Sequence, residues 1–362
     1  MQPSRKNNYM KFRFLLLTLL ALFSTTAFSQ SLFSINGTVK NDKAEPIESA
    51  TVFLSGSTQV TKTNTNGKFS FGGLTPGTYE VVVRMLGYSS LKENAVINSQ
   101  SLDKVLVLSQ NNIQLNEVVI GKGTSRDKQL AMFFDAFVGV TRNAAFCNIL
   151  NPEVIEFSTN GAFLKAFSNE FIVVENKSLG YKISYLLRDF SFDRMSETTI
   201  YDGESIFENL KGNESQQRRW SKNRLRAYKG SFMHYLRSLY KGNSASEGFL
   251  TYRIDATQNP AAENFIDVKQ YLSKADANFS QFQFDTQLKI IYAGKAKRPG
   301  VILKDIDPAR LAFMPISYVT LFVDKAVIDK KGSYLDYKSF RLEGRWGIVR
   351  LGDQLPFEYI PK

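Results

Sequence analysis

Ala50-Thr51-Val52-Phe53-Leu54, Thr63-Asn64-Thr65-Asn66-Gly67-Lys68-Phe69-Ser70-Phe71 and Pro76-Gly77-Thr78-Tyr79-Glu80-Val81-Val82-Val83 decide the fold of the amino-terminal part of this chain. Ala50, Val52 and Leu54 alternate with Thr51 and Phe53. Phe69 and Phe71 follow an Asn-Gly turn, and Tyr79, Val81 and Val83 alternate after Pro-Gly. Side chains two apart share a face of a strand, so this spelling predicts short antiparallel strands with one buried face over residues 35 to 108. Asn66-Gly67 is the strongest local turn signal and predicts a tight hairpin with Gly67 at positive φ.

In order and spacing, Gly37-Thr38-Val39, Ala50-Thr51-Val52, the Thr63 to Phe71 run, Gly77-Thr78-Tyr79 and Gly87-Tyr88 resemble the carboxypeptidase-regulatory-like domain, a transthyretin-like antiparallel β-sandwich. The resemblance covers about a fifth of the chain. It implies a fold and no chemistry, because such sandwiches are accessory modules and function lives in sites.

Upstream, Arg5, Lys6, Lys11 and Arg13 precede the apolar run Phe14 to Phe23, and Ala27-Phe28-Ser29 supplies small residues where a signal peptidase reads. Residues 1–29 are therefore expected to be a cleaved signal peptide, with the sandwich over 30–110. Ten apolar residues fall short of the ~20 needed to cross a bilayer, which argues against an anchor. Cys147 is the single cysteine, which excludes an intrachain disulfide. The formal net charge of +12 becomes +8 once the four signal cations are set aside. Between 215 and 241, Arg218, Arg219, Lys222, Arg224, Arg226, Lys229, Arg237 and Lys241 occur with no acid, so this segment alone accounts for the balance.

Residues 111–125 read as a linker containing Leu115, Asn116, Glu117, Val118, Val119 and Ile120. This hexapeptide resembles the energy-coupling box of outer-membrane receptors, which implies either an ordinary edge strand or a docking strand for an envelope protein partner by strand addition. The plug and large barrel of those receptors do not fit the remaining length.

From 126 to 362 the chain is expected to be a β-rich α+β domain. A helix over 126–139 is spaced by Leu130, Phe133, Phe134 and Phe137. Strands are expected at Val154 to Phe157, Phe163 to Phe167, Phe171 to Val174, Tyr181 to Leu187, Phe249 to Ile254, Leu288 to Tyr292, Val319 to Val323 and Phe340 to Trp346. A basic helical insertion over 215–241, broken near Gly230-Ser231, carries the stripe Leu225, Tyr228, Phe232, Tyr235 or Leu236, and Leu239. Asn151-Pro152-Glu153-Val154-Ile155, Glu175 to Tyr181, Arg224 to Ser231, His234-Tyr235-Leu236-Arg237 and Trp346 to Tyr359 resemble exported two-domain proteins of Bacteroidetes-type bacteria. That resemblance brings no reaction with it.

A catalytic zinc of the peptidase kind needs about three protein ligands, typically two His and a carboxylate. One histidine, His234, and one cysteine cannot assemble it, so no catalytic residue, metal site or cofactor is expected. Neither a nucleophile elbow, a phosphate-binding glycine loop nor a dinucleotide fingerprint occurs. Cys147, with Phe146 and Ile149 close by in sequence, reads as a small buried hydrophobe, and His234 as a packing residue. Lys222, Arg226 and Lys229 fall at i, i+4 and i+7. Together with Arg218 and Arg219 they predict an exposed cationic face for an anionic lipid or glycan, or simply a solvated helix. Nucleic acid is not expected, since no recognised module is present. The function these features suggest is a non-enzymatic binding or assembly module, exported to the periplasm or outer membrane, with the sandwich as docking or spacer unit. The alternatives are an outer-membrane protein with a small carboxy-terminal barrel linked to a TonB-type uptake system, and a hydrolase of unknown type.

Overall fold

Two sheets face each other at the amino end of the computed structural model, which describes residues 32–111, 125–254, 263–294, 313–334 and 337–362. The strands are β1 (Phe33–Asn41), β2 (Thr51–Leu54), β3 (Val60–Lys62), β4 (Lys68–Leu74), β5 (Gly77–Arg84), β6 (Leu91–Ile97) and β7 (Leu102–Leu108). One sheet has the order β4-β1-β7 and the other β3-β2-β5-β6. Val52, Leu54, Val81 and Val83 from one sheet meet Ile35, Val39, Phe69, Phe71, Leu106 and Leu108 from the other, as the period-two pattern requires.

Two details differ from the expectation. The sandwich is not wholly antiparallel, because β7 runs parallel to β1 from Ile35↔Leu102 to Asn41↔Leu108. The chain reaches β7 by crossing from the β6 sheet to the β1 sheet, and that crossing sets the direction of entry. Nor is Asn66-Gly67 a hairpin, since β3 and β4 lie in different sheets. The turn itself is tight. Gly67 N–H donates to Asn64 O at 2.8 Å, and Asn64 Oδ1 accepts from the Asn66 and Lys68 amides at 3.0 and 2.9 Å. Gly67 has φ +69°, and a Cβ there would lie 2.4 Å from Val39 O.

The rest of the described chain builds two further cores. In the first, α1 (Arg126–Phe137) lays Phe133 and Phe137 on a sheet of β8 (Cys147–Ile149), β9 (Glu156–Asn160), β10 (Phe163–Phe167), β11 (Phe171–Asn176), β12 (Tyr181–Asp193) and β13 (Thr198–Asn209). The order is β8-β11-β12-β10-β9, with β13 along the whole of β12 and a bulge between Leu187 and Asp189. Phe133 stands 4.7 Å from Phe190 and Phe137 stands 4.9 Å from Tyr185, ring centre to ring centre.

Two helices follow, α2 (Glu214–Tyr228) and α3 (Phe232–Tyr240), then β14 (Phe249–Ile254), β15 (Glu263–Phe265), β16 (Leu272–Lys274), β17 (Phe279–Phe282), β18 (Gln287–Tyr292), β19 (Ile316–Leu321), β20 (Ala326–Asp329) and β21 (Phe340–Gly344). They form the sheets β15-β14-β18-β19-β21 and β16-β17-β20, closed over Tyr235, Leu236 and Leu239 of α3. The described sheets are open, so the small-barrel alternative finds no closed barrel among the described residues. No described helix is long and apolar enough to cross a membrane. Residues 1–29, the expected signal peptide, and the box-like strand Leu115 to Ile120 lie outside the described residues.

The sandwich is fastened to the remainder rather than held on a spacer. Phe53 and Val82, on the opposite face from Val52 and Val81, are both 0% exposed. They pack on Leu186, with Phe171 and Ile206 beside them. The β2–β3 turn extends β13, with Gly56 N–H donating to Ser205 O and Phe207 N–H to Ser57 O, each at 2.8 Å. Asp329 is fully buried and accepts from Thr78 N–H at 2.8 Å and Ser333 Oγ at 2.7 Å. Lys331 Nζ donates to Thr78 O at 2.9 Å and stands over the Tyr79 ring. The last residues strap the parts together: Gly352 N–H reaches Val138 O, Phe357 N–H reaches Gly56 O, and Glu358 Oε1 accepts from Thr58 N–H.

Candidate functional site

The basic helix α2 begins on a capping box. Asn213 Oδ1 accepts from Gln216 N–H at 3.0 Å and Gln216 Oε1 accepts from Asn213 N–H at 2.9 Å, which satisfies two end amides. Its inward stripe is Trp220, Arg224 and Tyr228, the two aromatics buried and Arg224 half-buried between them, spaced four apart and so stacked on one face. Their dock is the segment Lys177-Ser178-Leu179-Gly180. The Trp220 indole donates to Lys177 O at 2.9 Å, Asn223 Nδ2 to Ser178 O at 2.9 Å, and Arg224 to Leu179 O and Gly180 O at 2.6 and 2.9 Å. The Arg224 guanidinium lies 3.9 Å from the Tyr181 ring centre. Gly180 lets the indole this close, because a Cβ there would stand 2.2 Å from it.

The far end is held as firmly. Gly230, at φ +76°, donates its N–H to His234 Nδ1 at 3.1 Å and accepts the Trp346 indole at 2.7 Å. Ser231 Oγ caps α3 by accepting from His234 N–H. His234 Nε2 meets Glu247 Oε2 at 3.2 Å, and its ring packs among Tyr228, Phe249 and Tyr292. Both ring nitrogens are thus engaged in holding the α2–α3 joint.

Arg218, Arg219, Lys222, Arg226 and Lys229 are all exposed. At 3.6 residues per turn they fall within an arc of about 100° on the side away from the Trp220 stripe. Arg218 pairs with Glu214 at 3.3 Å, but both side chains are largely in water and such a pair is worth little. Arg219, Lys222, Arg226 and Lys229 stand without an ion-pair partner among the described residues. The structure thus brings the five predicted cations together on one fixed surface.

It separates two others from them. Arg224 is half-buried between Trp220 and Tyr228 and donates to the carbonyls of Leu179 and Gly180, and Arg237 is buried with its guanidinium donating to the carbonyls of Lys331, Phe357 and Tyr359. Counting charge over 215–241 hid this. The available signal was the i, i+4, i+8 spacing of Arg224 with Trp220 and Tyr228.

Reactive groups elsewhere are committed to structure. Burial pushes the Cys147 thiol up to about 12, with the nearby Asp353 adding to it, so the sulfur is held as a thiol. Among the described residues no three His, Cys, Asp or Glu side chains converge to hold a metal ion.

The sandwich geometry, its two-sheet core and its turns agree with a family comparison. Residues 35–120 match the CarboxypepD_reg-like domain. The match ends within residues outside those described. No curated protein gives a match. Among solved structures, the chain is similar to 3-chlorocatechol 1,2-dioxygenase from Rhodococcus opacus at 10% identity and TM-score 0.20, over 24% of this chain and 62% of that one. It is similar to a cohesin–X-dockerin complex from Acetivibrio cellulolyticus at 20% identity and TM-score 0.20, over 22% and 60%. A third is the group B streptococcus pilus 2b backbone protein, at 14% and TM-score 0.21, over 22% and 42%. This chain spans less than two thirds of each of them, and nothing about dioxygenase chemistry or cohesin assembly passes to it.

Proposed function

We propose that this chain is an exported, non-enzymatic binding or assembly module of the Gram-negative envelope, in which α2 presents a cationic face to a phosphate-bearing surface. The observation that carries the reading is the rigidity of that face. Five cations project from a helix whose opposite side is anchored through Trp220, Asn223 and Arg224 and whose end is fixed at Gly230. Long-range attraction between such a face and an anionic surface needs no deep pocket, and preordering the helix lowers the entropy lost on contact.

Phosphates on lipid head groups and on lipopolysaccharide share this chemistry. Sedimentation with phosphatidylglycerol vesicles in one arm and lipopolysaccharide in the other separates the two sources. Failure to bind either, at low salt, overturns the reading. Strand addition by Leu115 to Ile120 is a second contact we propose for an envelope protein partner. Deleting those six residues tests it, since partner capture should be lost while vesicle binding is kept.

A further inference from the structure

Glu204, on β13, is 0% exposed, and its Oε2 has no hydrogen-bond partner. Its other oxygen is crowded, taking both Arg188 Nε, from the bulge in β12, and Lys92 Nζ, from β6 of the sandwich, the latter at 3.3 Å. Lys92 also reaches Glu80 on β5 at 3.3 Å and Asp202 on β13 at 4.0 Å. Tyr185 of β12 completes the surround as a neutral phenol, because burial holds its pKa well above the ordinary value. Three carboxylates therefore face two cations, and the cluster lies on the seam between the sandwich and the β12–β13 hairpin, beside the Phe53–Leu186 contact.

A buried carboxylate oxygen with neither donor nor water-facing surface is costly while it carries charge and less costly once it carries a proton. We propose that this cluster is a proton-operated latch, in which protonation of Glu204 Oε2 draws the sandwich more tightly against the β12–β13 hairpin. Uptake of one proton makes the cluster neutral and leaves Oε1 with both of its donors.

The direction of the titration agrees. Burial raises the Glu204 carboxyl above its ordinary value, Arg188 and Lys92 oppose the rise, and Glu80 adds to it. Lys92 loses through burial but gains more from Glu80, Asp202 and Glu204, so its pKa is raised and it stays charged throughout the acid range. For a carboxyl whose pKa is raised on docking, the docked state binds more protons between the ordinary and the raised value. Docking therefore strengthens as pH falls through that window, is fullest below the ordinary value, and weakens as pH rises through the raised value.

Hydrogen exchange of the β5, β6, β12 and β13 amides, corrected for intrinsic rate and followed from about pH 8 to about pH 4 on the full chain, so that the scan passes below the ordinary carboxyl value, tests the latch. In the parent protein, protection of the seam should rise by about tenfold for each unit by which docking raises the carboxyl. Glu204→Gln keeps the shape without the titration, so its seam protection should be flat across this range. Glu80→Gln leaves Glu204 in place but removes a repelling charge, so the rise should persist with its midpoint at lower pH. A parent protein whose seam ignores pH overturns the latch. So does a Glu204→Gln protein that keeps the slope. Should Glu204→Gln not fold, an unmoved midpoint in Glu80→Gln overturns it equally.

Discussion

Replacing Phe53 by alanine separates a sandwich that is built into the protein from one that merely spaces it. The ring is wholly buried against Leu186 and stands 5.8 Å from the Phe171 ring in an edge-on arrangement. Truncating a fully buried phenylalanine costs about 3–5 kcal/mol, transfer and cavity together, whereas an exposed one costs within about 0.5 kcal/mol. For 362 residues the unfolding entropy is roughly 0.75 kcal/mol/K, so the melting temperature should fall by about 4–7 °C. Leu186→Ala, across the seam, should cost about 2–5 kcal/mol. Because the two side chains share one contact, the double variant should lose about 1–2 kcal/mol less than the sum of the singles. Calorimetry on the four proteins measures the coupling. Additivity within about 0.3 kcal/mol, or a Phe53→Ala protein that melts like the parent, would refute the claim that this face is a permanent interior contact.

Gly67→Val should cost about 1–3 kcal/mol from backbone strain alone, and more because its Cβ would meet Val39 O. Gly73, at φ +71° with nothing within 4 Å, offers the strain without the clash, so Gly67→Val should show the lower urea midpoint of the two. Lys331 is pushed down to about 8, chiefly by burial, with Asp329 opposing. The unfolded chain then binds the extra proton between about pH 8 and the ordinary lysine value, so this group makes stability rise with pH there. Lys331→Met should remove that rise between pH 8 and 10. Tyr79, pushed up to about 12 by burial, acts only above this range and with the opposite sign.

The alternation of Val52 and Val81 with their neighbours was enough to read the sandwich core, since one buried face leaves a period of two. The same stretch held the seam in plain view. Phe53 and Val82 break the alternation into apolar runs, which is how a strand buried on both faces is spelled. Turn chemistry at Asn66-Gly67 was legible because it is local, whereas the sheet assignment of the flanking strands depends on residues far away in sequence. The strand β13 was missed for the same reason. Asp202, Gly203 and Glu204 argue against a strand in isolation, and only pairing with the long β12 makes one. At the candidate site, helical spacing picked out Lys222, Arg226 and Lys229, the charge run added Arg218 and Arg219, all five are exposed, and α1, α2 and α3 fall where the periodicity placed them. Arg224 and Arg237 were counted with the surface charge because formal charge carries no information about which carbonyls surround it.

Binding of the intact protein to phosphatidylglycerol vesicles and to lipopolysaccharide, compared with a Lys222→Gln, Arg226→Gln and Lys229→Gln triple variant, addresses the proposed function most directly. Glutamine keeps helix propensity, and these side chains are exposed, so the melting curve should be unchanged. Each cation near an anionic surface contributes about 1 kcal/mol, so losing three should weaken binding by about 100-fold. The parent's binding should also fade as salt shortens the Debye length from about 10 Å at 0.1 M to about 3 Å at 1 M. Equal binding by parent and triple variant, or parent binding that ignores salt, would contradict the account and leave the basic face of α2 as a solvated helix surface.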